Sequence, residues 1–243
     1  FITLLKNMND LTLLIPAKQE GESLPIVLEE IKNYDLNILV VMDKNDEKTF
    51  MATKNYKCEV LFQKKLGYGS ALIEGIDRIN TKYLCIFNAD GSFQPKELIE
   101  MYAKIKNFDF VFGTRYEKNC GSDDDTFLTK IGNFFFTKIG NIFFNLSITD
   151  ILYTFVMGDT KKFKALRLKQ TDFSICPEIP INVQKLNFTY INNRCYERSR
   201  LKGKKKFTKL LVKIDEFIDT GTIEEAERYK VTVSYTHLRA HET

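Results

Sequence analysis

The sequence predicts an α/β protein with a mostly parallel mixed sheet and helices on both faces, and three observations support this. Short apolar runs alternate with segments of helical periodicity along the first half of the chain, as in βαβ units. Three of the apolar runs end in turns that carry an acidic side chain. The chain has 243 residues, of which 44% are hydrophobic and 28% charged, so it can bury the core of one large domain.

Five apolar runs are the predicted strands: LTLLIPA (11–17), NILVVMD (37–43), CEVLFQ (58–63), KYLCIF (82–87) and FDFVFGTR (108–115). The helices predicted between them are GESLPIVLEEIKNY, GYGSALIEGIDRI and KELIEMYAKI. Beyond these come a long aromatic-rich helix, a helix over EIPINVQKL, a strand over FTYINNRCYE and a closing helix over KFTKLLVKIDEFI. No linker separates a second domain, so we expect one domain over residues 8–220 and a tail over 221–243.

The composition excludes several classes of chemistry. The last residues, VSYTHLRAHET, resemble translated sequencing-adaptor read-through, so we expect residues 231–243 to be non-native and no part of the fold. That segment holds the only two histidines, and the rest of the chain therefore lacks Ser-His-Asp and Cys-His chemistry. Five scattered cysteines are typical of a reduced, cytoplasmic protein. A net charge of +4 gives little support for a nucleic-acid partner.

Carboxylate-bearing turns follow three of the predicted strands. The residues concerned are Pro16, Ala17 and Glu20 after the first strand, Asp43 after the second, and Asn88, Ala89 and Asp90 after the fourth. Because the carboxyl ends of parallel strands meet at one edge of a sheet, we expect these acids to line one crevice. Carboxylates without histidine suit a hard cation such as Mg²⁺ or Mn²⁺, bound together with phosphate oxygens. The alternative for Asp90 is a turn cap that accepts nearby backbone N–H groups.

Seven short motifs follow one another along the chain: LLIPAKQEGESL, VVMDKNDEKT, GYGSALIEGI, NADGSFQP, GTRY, TDILYTF and RLKGKKKF. In this order and at this spacing the sequence resembles family 2 glycosyltransferases of the GT-A fold. Within that family it is most similar to the dolichyl- or polyprenyl-phosphate sugar transferases, over about residues 11–215. The pattern departs from the family where Asn88 replaces the first acid of the metal motif, and where LYTFV replaces the Thr-Ser-Gly-Phe-Arg segment.

The resemblance implies a set of donor-binding residues: Pro16, Ala17, Glu20, Asp43, Gly67, Gly69, Asn88, Ala89, Asp90, Arg115 and Lys206. It implies that Asp90, helped by Asn88, holds a Mg²⁺ or Mn²⁺ ion that neutralises the pyrophosphate of the leaving group. The predicted catalytic residues are Asp150, Arg200 and Glu178. Arg200 and Lys206 belong to a basic run over 198–209 and are expected to meet phosphate.

The activity that the resemblance implies is inverting transfer of a hexose from a UDP- or GDP-sugar to a polyprenyl (dolichyl-type) phosphate. Such a phosphate is already ionised, whereas a hydroxyl acceptor needs a carboxylate to take its proton. Asp150 is the first candidate for that base or for orienting the acceptor, Glu178 is the second, and a helix cap is the alternative for Asp150. Two other functions stay open: transfer to a hydroxyl of a surface glycan or glycolipid, and a nucleotide-sugar-binding homologue without catalysis.

The helix over 127–146 carries two sets of large apolar residues. One stripe is predicted to face the core and comprises Leu128, Ile131, Phe135, Ile139, Ile142 and Leu146. The second set, Phe127, Phe134 and Phe144, lies among lysines and asparagines, which is typical of a helix in a lipid interface. Docking against another part of the chain is the alternative. We expect peripheral association with the cytoplasmic face of a membrane, where the lysines of the basic run lie near anionic head groups.

Overall fold

The computed structural model describes residues 7–117, 120–123 and 127–201. Its strands are β1 (Asn7–Ala17), β2 (Asp35–Met42), β3 (Glu59–Phe62), β4 (Tyr83–Ile86), β5 (Phe110–Thr114), β6 (Gly121–Ser122), β7 (Val156–Asp159), β8 (Tyr190–Arg194) and β9 (Tyr196–Glu197). Its helices are α1 (Leu24–Ile31), α2 (Glu47–Thr53), α3 (Tyr68–Arg78), α4 (Glu97–Lys104), α5 (Phe127–Phe144), α6 (Thr160–Ala165) and α7 (Ile175–Lys185). Lys206, the closing helix, the tail and the end of the predicted domain lie outside the described residues.

Seven strands form one mixed sheet in the order β3-β2-β1-β4-β7-β5-β8. Only β7 runs antiparallel to its neighbours β4 and β5, so the other six strands point the same way. Strands β6 and β9 pair in a separate two-stranded sheet. The predicted α/β fold is confirmed, and the carboxyl ends of β1, β2, β4 and β5 lie at one edge of the sheet.

The sequence prediction missed strand β7, which lies between two strands that it placed correctly. Met157 of β7 is paired with Cys85 of β4 on one side and with Val111 of β5 on the other. The strand has only four residues and follows directly on another apolar run, so no turn residues mark where it begins. Its place comes from pairing with residues that are distant in sequence.

An aromatic cluster anchors the turn that follows β4. Phe87 and Phe93 flank this turn, and both are fully buried. Phe93 stacks on Phe155 with ring centroids 4.5 Å apart, and Phe87 meets the same ring edge-on at 5.5 Å. Burying a phenylalanine stabilises a fold by about 1.5–3 kcal/mol. The turn is therefore fixed at both ends by the core.

The prediction that the stripe of α5 faces the core is wrong for four of its members. Ile131, Phe135, Ile139 and Ile142 are exposed, with Ile142 at 76% and Phe135 at 60%. Leu146 is buried as predicted, whereas the side chain of Leu128 lies outside the described residues. Phe134 is exposed as expected, Phe144 is half-buried, and nothing is described of the Phe127 side chain.

The helix instead turns its small and polar residues inward, because its neighbour is a polar segment. Asn133 and Thr137 are buried; Asn133 Nδ2 donates to Asp150 Oδ1 at 2.6 Å, and Thr137 Oγ1 accepts the N–H of Ile151. Gly140 permits this close approach, since a Cβ there would lie 2.4 Å from Ile151 Cδ1. Among the described residues, no helix has the length and apolar character needed to cross a bilayer.

Candidate functional site

The turn after β4 places Asp90 at the carboxyl edge of the sheet. Asp90 is 5% exposed as a whole residue, and its Oδ1 accepts the N–H of Ser92 at 2.9 Å. Gly91 adopts a φ of +80°, a left-handed conformation that glycine adopts without strain. The other oxygen, Oδ2, lies 3.2 Å from Arg200 Nη2. Asp90 is thus a turn cap through one oxygen, and it faces a cation with the other.

The segment 198–201 lies across this turn. Arg198 N–H donates to Ser92 O at 3.1 Å, and Leu201 N–H donates to Asp90 O at 3.0 Å. The guanidinium of Arg198 donates through Nε to Gly91 O at 2.7 Å and forms a bidentate pair with Glu30. Because both ends of the segment are attached, Arg200 is held beside Asp90.

The turns after β1 and β2 are joined to each other at the same edge. Gln19 N–H donates to Asp46 Oδ2 at 2.6 Å, and Glu20 N–H donates to Thr49 Oγ1 at 2.9 Å. Asp43 Oδ1 accepts the N–H of Asn45 at 2.9 Å, which closes a short turn. The predicted donor-binding residues of these two turns, among them Pro16 and Ala17 at the end of β1, therefore lie on adjacent strands.

Gly67 and Gly69 begin α3 where the backbone of residues 170–172 crosses it. A Cβ at Gly67 would lie 2.2 Å from Thr171 O, and one at Gly69 would lie 2.1 Å from Gln170 O. Ser70 N–H donates to Thr171 O at 3.1 Å. These glycines therefore have a packing role in the structure, and their contact with a donor stays a prediction.

Arg115 and Asp150 form a buried ion pair beyond the end of β5. Arg115 Nε and Nη2 donate to the two oxygens of Asp150 at 2.7 and 3.0 Å, and Nη1 donates to Glu197 Oε2 at 2.9 Å. Burial favours a lower pKa for Arg115, but the adjacent Asp150 and Glu197 carboxylates outweigh it and raise that pKa well above its ordinary value. The guanidinium is therefore a permanent cation, and it connects the end of β5 with the segment around Asp150 and with β9.

The sequence prediction did not identify Glu197 or Asn133 as members of this network. Glu197 ends β9, so it carries the same signal as Asp43 and Asp90, an acid at the end of a strand. Asn133 gave no such signal, since a polar residue on an aromatic helix reads as solvent-exposed.

The two carboxylates predicted as bases both accept hydrogen bonds from other parts of the chain. The side chain of Asp150 is 0% exposed, and both its oxygens are engaged by Arg115 and Asn133. Glu178 accepts the N–H groups of Lys169 and Gln170 at 2.8 and 3.0 Å, and burial raises its pKa. In this arrangement Asp150 orients the Arg115 guanidinium, and Glu178 anchors the segment that crosses α3. Their proposed part in proton transfer stays a prediction.

The donor atoms around Asp90 fit a hard divalent cation. Among the residues described, no three His, Cys, Asp or Glu side chains converge as a closed metal site. Asp90 offers one carboxylate oxygen that already faces a cation, and Asn88, whose Nδ2 donates to Ser92 Oγ at 3.4 Å, offers its amide oxygen. One or two protein oxygens completed by substrate phosphates and water are how proteins usually bind Mg²⁺.

Part of the chain matches a known protein family. The family model described as Glycosyl transferase family 2 matches residues 12–167, more than half of the chain. Uncharacterized glycosyltransferases of Mycobacterium tuberculosis and Mycobacterium bovis are 31% identical over 105 residues, covering 43% of this chain and 48% of theirs. The matched region thus spans about half the length of these curated relatives.

Two solved structures share the fold. Mannosyl-3-phosphoglycerate synthase from Rubrobacter xylanophilus matches with a TM-score of 0.68 at 13% identity, over 91% of this chain and 76% of that one. Glucosyl-3-phosphoglycerate synthase from Mycobacterium tuberculosis, in complex with Mn²⁺, UDP and glucosyl-3-phosphoglycerate, matches with a TM-score of 0.64 at 8% identity. That match covers 84% of this chain and 75% of the other.

Proposed function

This chain belongs to glycosyl transferase family 2, and we propose that it is a metal-dependent, inverting hexosyltransferase that uses a UDP- or GDP-sugar and a polyprenyl phosphate acceptor. The observation that carries the donor half of the proposal is the placement of Asp90. Its buried carboxylate lies at the sheet edge where open α/β sheets bind ligands, with one oxygen facing a cation. Two further features support a polyprenyl phosphate as the acceptor: the buried ion pair of Asp150 and the exposed face of α5.

The proposed donor site uses Asp90 and Asn88 for the cation and the turns after β1 and β2 for the nucleotide. A bound Mg²⁺ or Mn²⁺ supplies charge neutralisation of the diphosphate as it leaves. A glucosyl-3-phosphoglycerate synthase of the same fold is complexed with Mn²⁺ and UDP, which supports this choice of cofactor. Arg200, held beside Asp90, is positioned to meet the phosphates of the donor.

The buried ion pair of Asp150 favours an acceptor that needs no base. A hydroxyl must lose its proton as it attacks, whereas a phosphate monoester is already an anion near neutral pH. Asp150, the first predicted base, has both oxygens engaged by Arg115 and Asn133. We therefore assign it the role of orienting Arg115 beside the site, with the acceptor phosphate supplying its own nucleophilic oxygen.

The exposed face of α5 suits a lipid-linked acceptor. Phe134, Phe135 and Ile142 are more than half exposed, and Lys130 and Lys138 are exposed on the same helix. Residues 127–149 contain no acidic side chain, so a membrane of anionic lipids is complementary in charge to this face. We propose that α5 lies on the cytoplasmic face of a membrane and brings the active site to its polyprenyl acceptor.

A second candidate is transfer to a hydroxyl, such as that of a surface glycan or glycolipid. The likeness in fold to two synthases, of glucosyl-3-phosphoglycerate and of mannosyl-3-phosphoglycerate, favours this second candidate. The names of their products indicate transfer to phosphoglycerate and not to a lipid phosphate. In that case Asp150 or Glu178 would have to leave its present partners. A nucleotide-sugar-binding homologue without catalysis is the third alternative, because Asn88 replaces one acid of the metal motif.

Product analysis distinguishes these candidates. The protein is incubated with Mn²⁺, UDP-glucose or GDP-mannose, and either polyprenyl phosphate in anionic vesicles or 3-phosphoglycerate, and the products are identified by mass spectrometry. We expect a glycosylated polyprenyl phosphate that is absent with the Asp90→Ala variant. Glycosylation of a hydroxyl acceptor alone would contradict the lipid-phosphate assignment, and tight donor binding without any product would support the inactive homologue.

A further inference from the structure

The contact between Arg200 and Asp90 occupies the oxygen that a cation would need. Asp90 Oδ1 accepts the N–H of Ser92, so Oδ2 is the oxygen that faces outward from the turn. Arg200 Nη2 lies 3.2 Å from it, and the two side chains are 25% and 7% exposed. The ion pair thus holds the Arg200 guanidinium against Oδ2 of Asp90.

A guanidinium and a divalent cation are both positive and cannot share this one oxygen at close range. Ligation brings a cation such as Mg²⁺ to about 2.0–2.1 Å from the carboxylate oxygen. The guanidinium would then lie within a few ångströms of the ion, where like charges repel strongly at the low effective dielectric of a protein. Binding of one therefore opposes binding of the other.

The backbone on both sides of Arg200 is attached to the Asp90 turn, so any change of partner requires a rotation of the Arg200 side chain. The N–H groups of Arg198 and Leu201 donate to Ser92 O and Asp90 O, respectively. Arg198 is further held by its bidentate pair with Glu30. A side chain displaced from Asp90 consequently stays at the same edge of the sheet.

We infer that Arg200 exchanges partners, from Asp90 to the diphosphate of the donor, and so couples cation binding to donor binding. This inference rests on the proposed function. Without a donor, Arg200 competes with the cation for Asp90 and weakens its binding. When a diphosphate is present, the guanidinium pairs with its oxygens, a partner that arginine binds bidentately, and Asp90 is released to the cation. The coupling is reciprocal, so the cation also strengthens donor binding.

Mn²⁺ binding measured by electron paramagnetic resonance tests this exchange without reference to turnover. Wild-type protein, Arg200→Ala and the control Arg194→Ala are titrated with Mn²⁺, in the absence and presence of saturating UDP. Arg194 is a suitable control because it is an exposed arginine at the end of β8 and pairs with Glu117 instead. Circular dichroism melting of each variant verifies that it is folded.

In the absence of UDP, we expect Arg200→Ala to bind Mn²⁺ about fivefold more tightly than wild type, as loss of a competing ion pair worth about 1 kcal/mol implies. UDP should then tighten Mn²⁺ binding much less in this variant than in wild type or in Arg194→Ala. Equal or weaker Mn²⁺ binding by Arg200→Ala without UDP, or an undiminished effect of UDP, would overturn the inference.

A third variant, Asp90→Ala, separates this result from failure of the proposed function. If Asp90→Ala weakens Mn²⁺ binding while Arg200→Ala leaves it unchanged, the metal site stands and the exchange is wrong. If Mn²⁺ binding is the same in Asp90→Ala and wild type, both with and without UDP, the metal site itself is wrong.

Discussion

At the scale of single residues, Glu97 follows the Asp90 turn in the chain, and its burial determines its acidity. It begins α4, is 8% exposed, and its Oε1 accepts the N–H of Tyr196 at 2.7 Å. Its Oε2 is also buried, and the Cys195 thiol is a neighbour of this carboxyl. Burial raises the pKa of this carboxyl to about 7, since the charged form is poorly solvated there.

The raised pKa of Glu97 predicts a loss of stability as the pH rises. Between its unfolded value of 4.5 and about 7 the folded protein holds a proton that the unfolded chain has released. The contribution of Glu97 to the free energy of unfolding is therefore at its full value below pH 4.5. It is lost as the pH rises through about 7. We expect Glu97→Gln, which keeps the acceptor for Tyr196, to remove this loss, on the order of 1–3 kcal/mol.

Thermal melts at pH 5.5 and pH 8.5 measure this effect. The melting temperature of wild type should fall more than that of Glu97→Gln between the two values. Glu100→Gln is the control, because Glu100 lies on the same helix with a side chain that is 59% exposed. The same fall in all three proteins would show that Glu97 has an ordinary pKa.

At the scale of secondary-structure elements, helix α5 shows how far sequence periodicity determines orientation. Its length and helical character follow from the sequence, but the face that it buries does not. Hydrophobic periodicity predicts an apolar face toward the core, whereas the neighbouring segment 148–151 presents Asp150, a carboxylate that needs donors. Nothing within the helix reveals what lies opposite it, so the burial of Asn133 and Thr137 could not be read from the sequence.

Replacing Asn133 by leucine should destabilise the protein even though it makes α5 more apolar. The change removes a 2.6 Å hydrogen bond to the buried Asp150 carboxylate and places a larger apolar group against it. We expect a loss of about 1–3 kcal/mol in the free energy of unfolding, measured by urea denaturation. Phe134→Leu, an exposed position on the same helix, should stay close to wild type. An Asn133→Leu protein as stable as wild type or more so would place this face of α5 in solvent.

The opposite face of α5 should control binding to membranes and leave the stability nearly unchanged. Phe135→Ser combined with Ile142→Ser removes two apolar side chains that are 60% and 76% exposed. Each contributes about 1.5–3 kcal/mol when buried in an apolar phase, so co-sedimentation with anionic liposomes should weaken by more than tenfold. The control is Met51→Ser, an exposed apolar residue on α2.

Thermal melting of the same double variant shows whether this face of α5 binds a membrane or packs in the protein core. An unchanged melting temperature with lost liposome binding supports the interfacial helix. Retained liposome binding together with a strongly lowered melting temperature would mean that this face packs against protein.

At the scale of the whole molecule, the sheet topology brings together turns that are far apart in sequence. The parallel strands β2, β1 and β4 are neighbours, so the turns holding Asp43, Glu20 and Asp90 share one edge. This part of the site was predictable. An apolar run predicts a strand, and an acid in the turn after it marks the carboxyl end of that strand. The pairing of Arg115 with Asp150, and of Arg200 with Asp90, was not predictable, since each pair joins chain segments through side-chain geometry that no local pattern encodes.

In the proposed site, Asp90 holds the cation through which a nucleotide-sugar is bound. Calorimetry of UDP-sugar or GDP-sugar binding, with and without Mn²⁺, tests it most directly. We predict that Mn²⁺ strengthens donor binding by wild type and that this effect is lost in Asp90→Ala. It should weaken in Asn88→Ala, and in Asn88→Asp it should be kept or increased, since that change adds a second carboxylate. A folded Asp90→Ala protein that binds the donor with wild-type, Mn²⁺-dependent affinity would contradict the account.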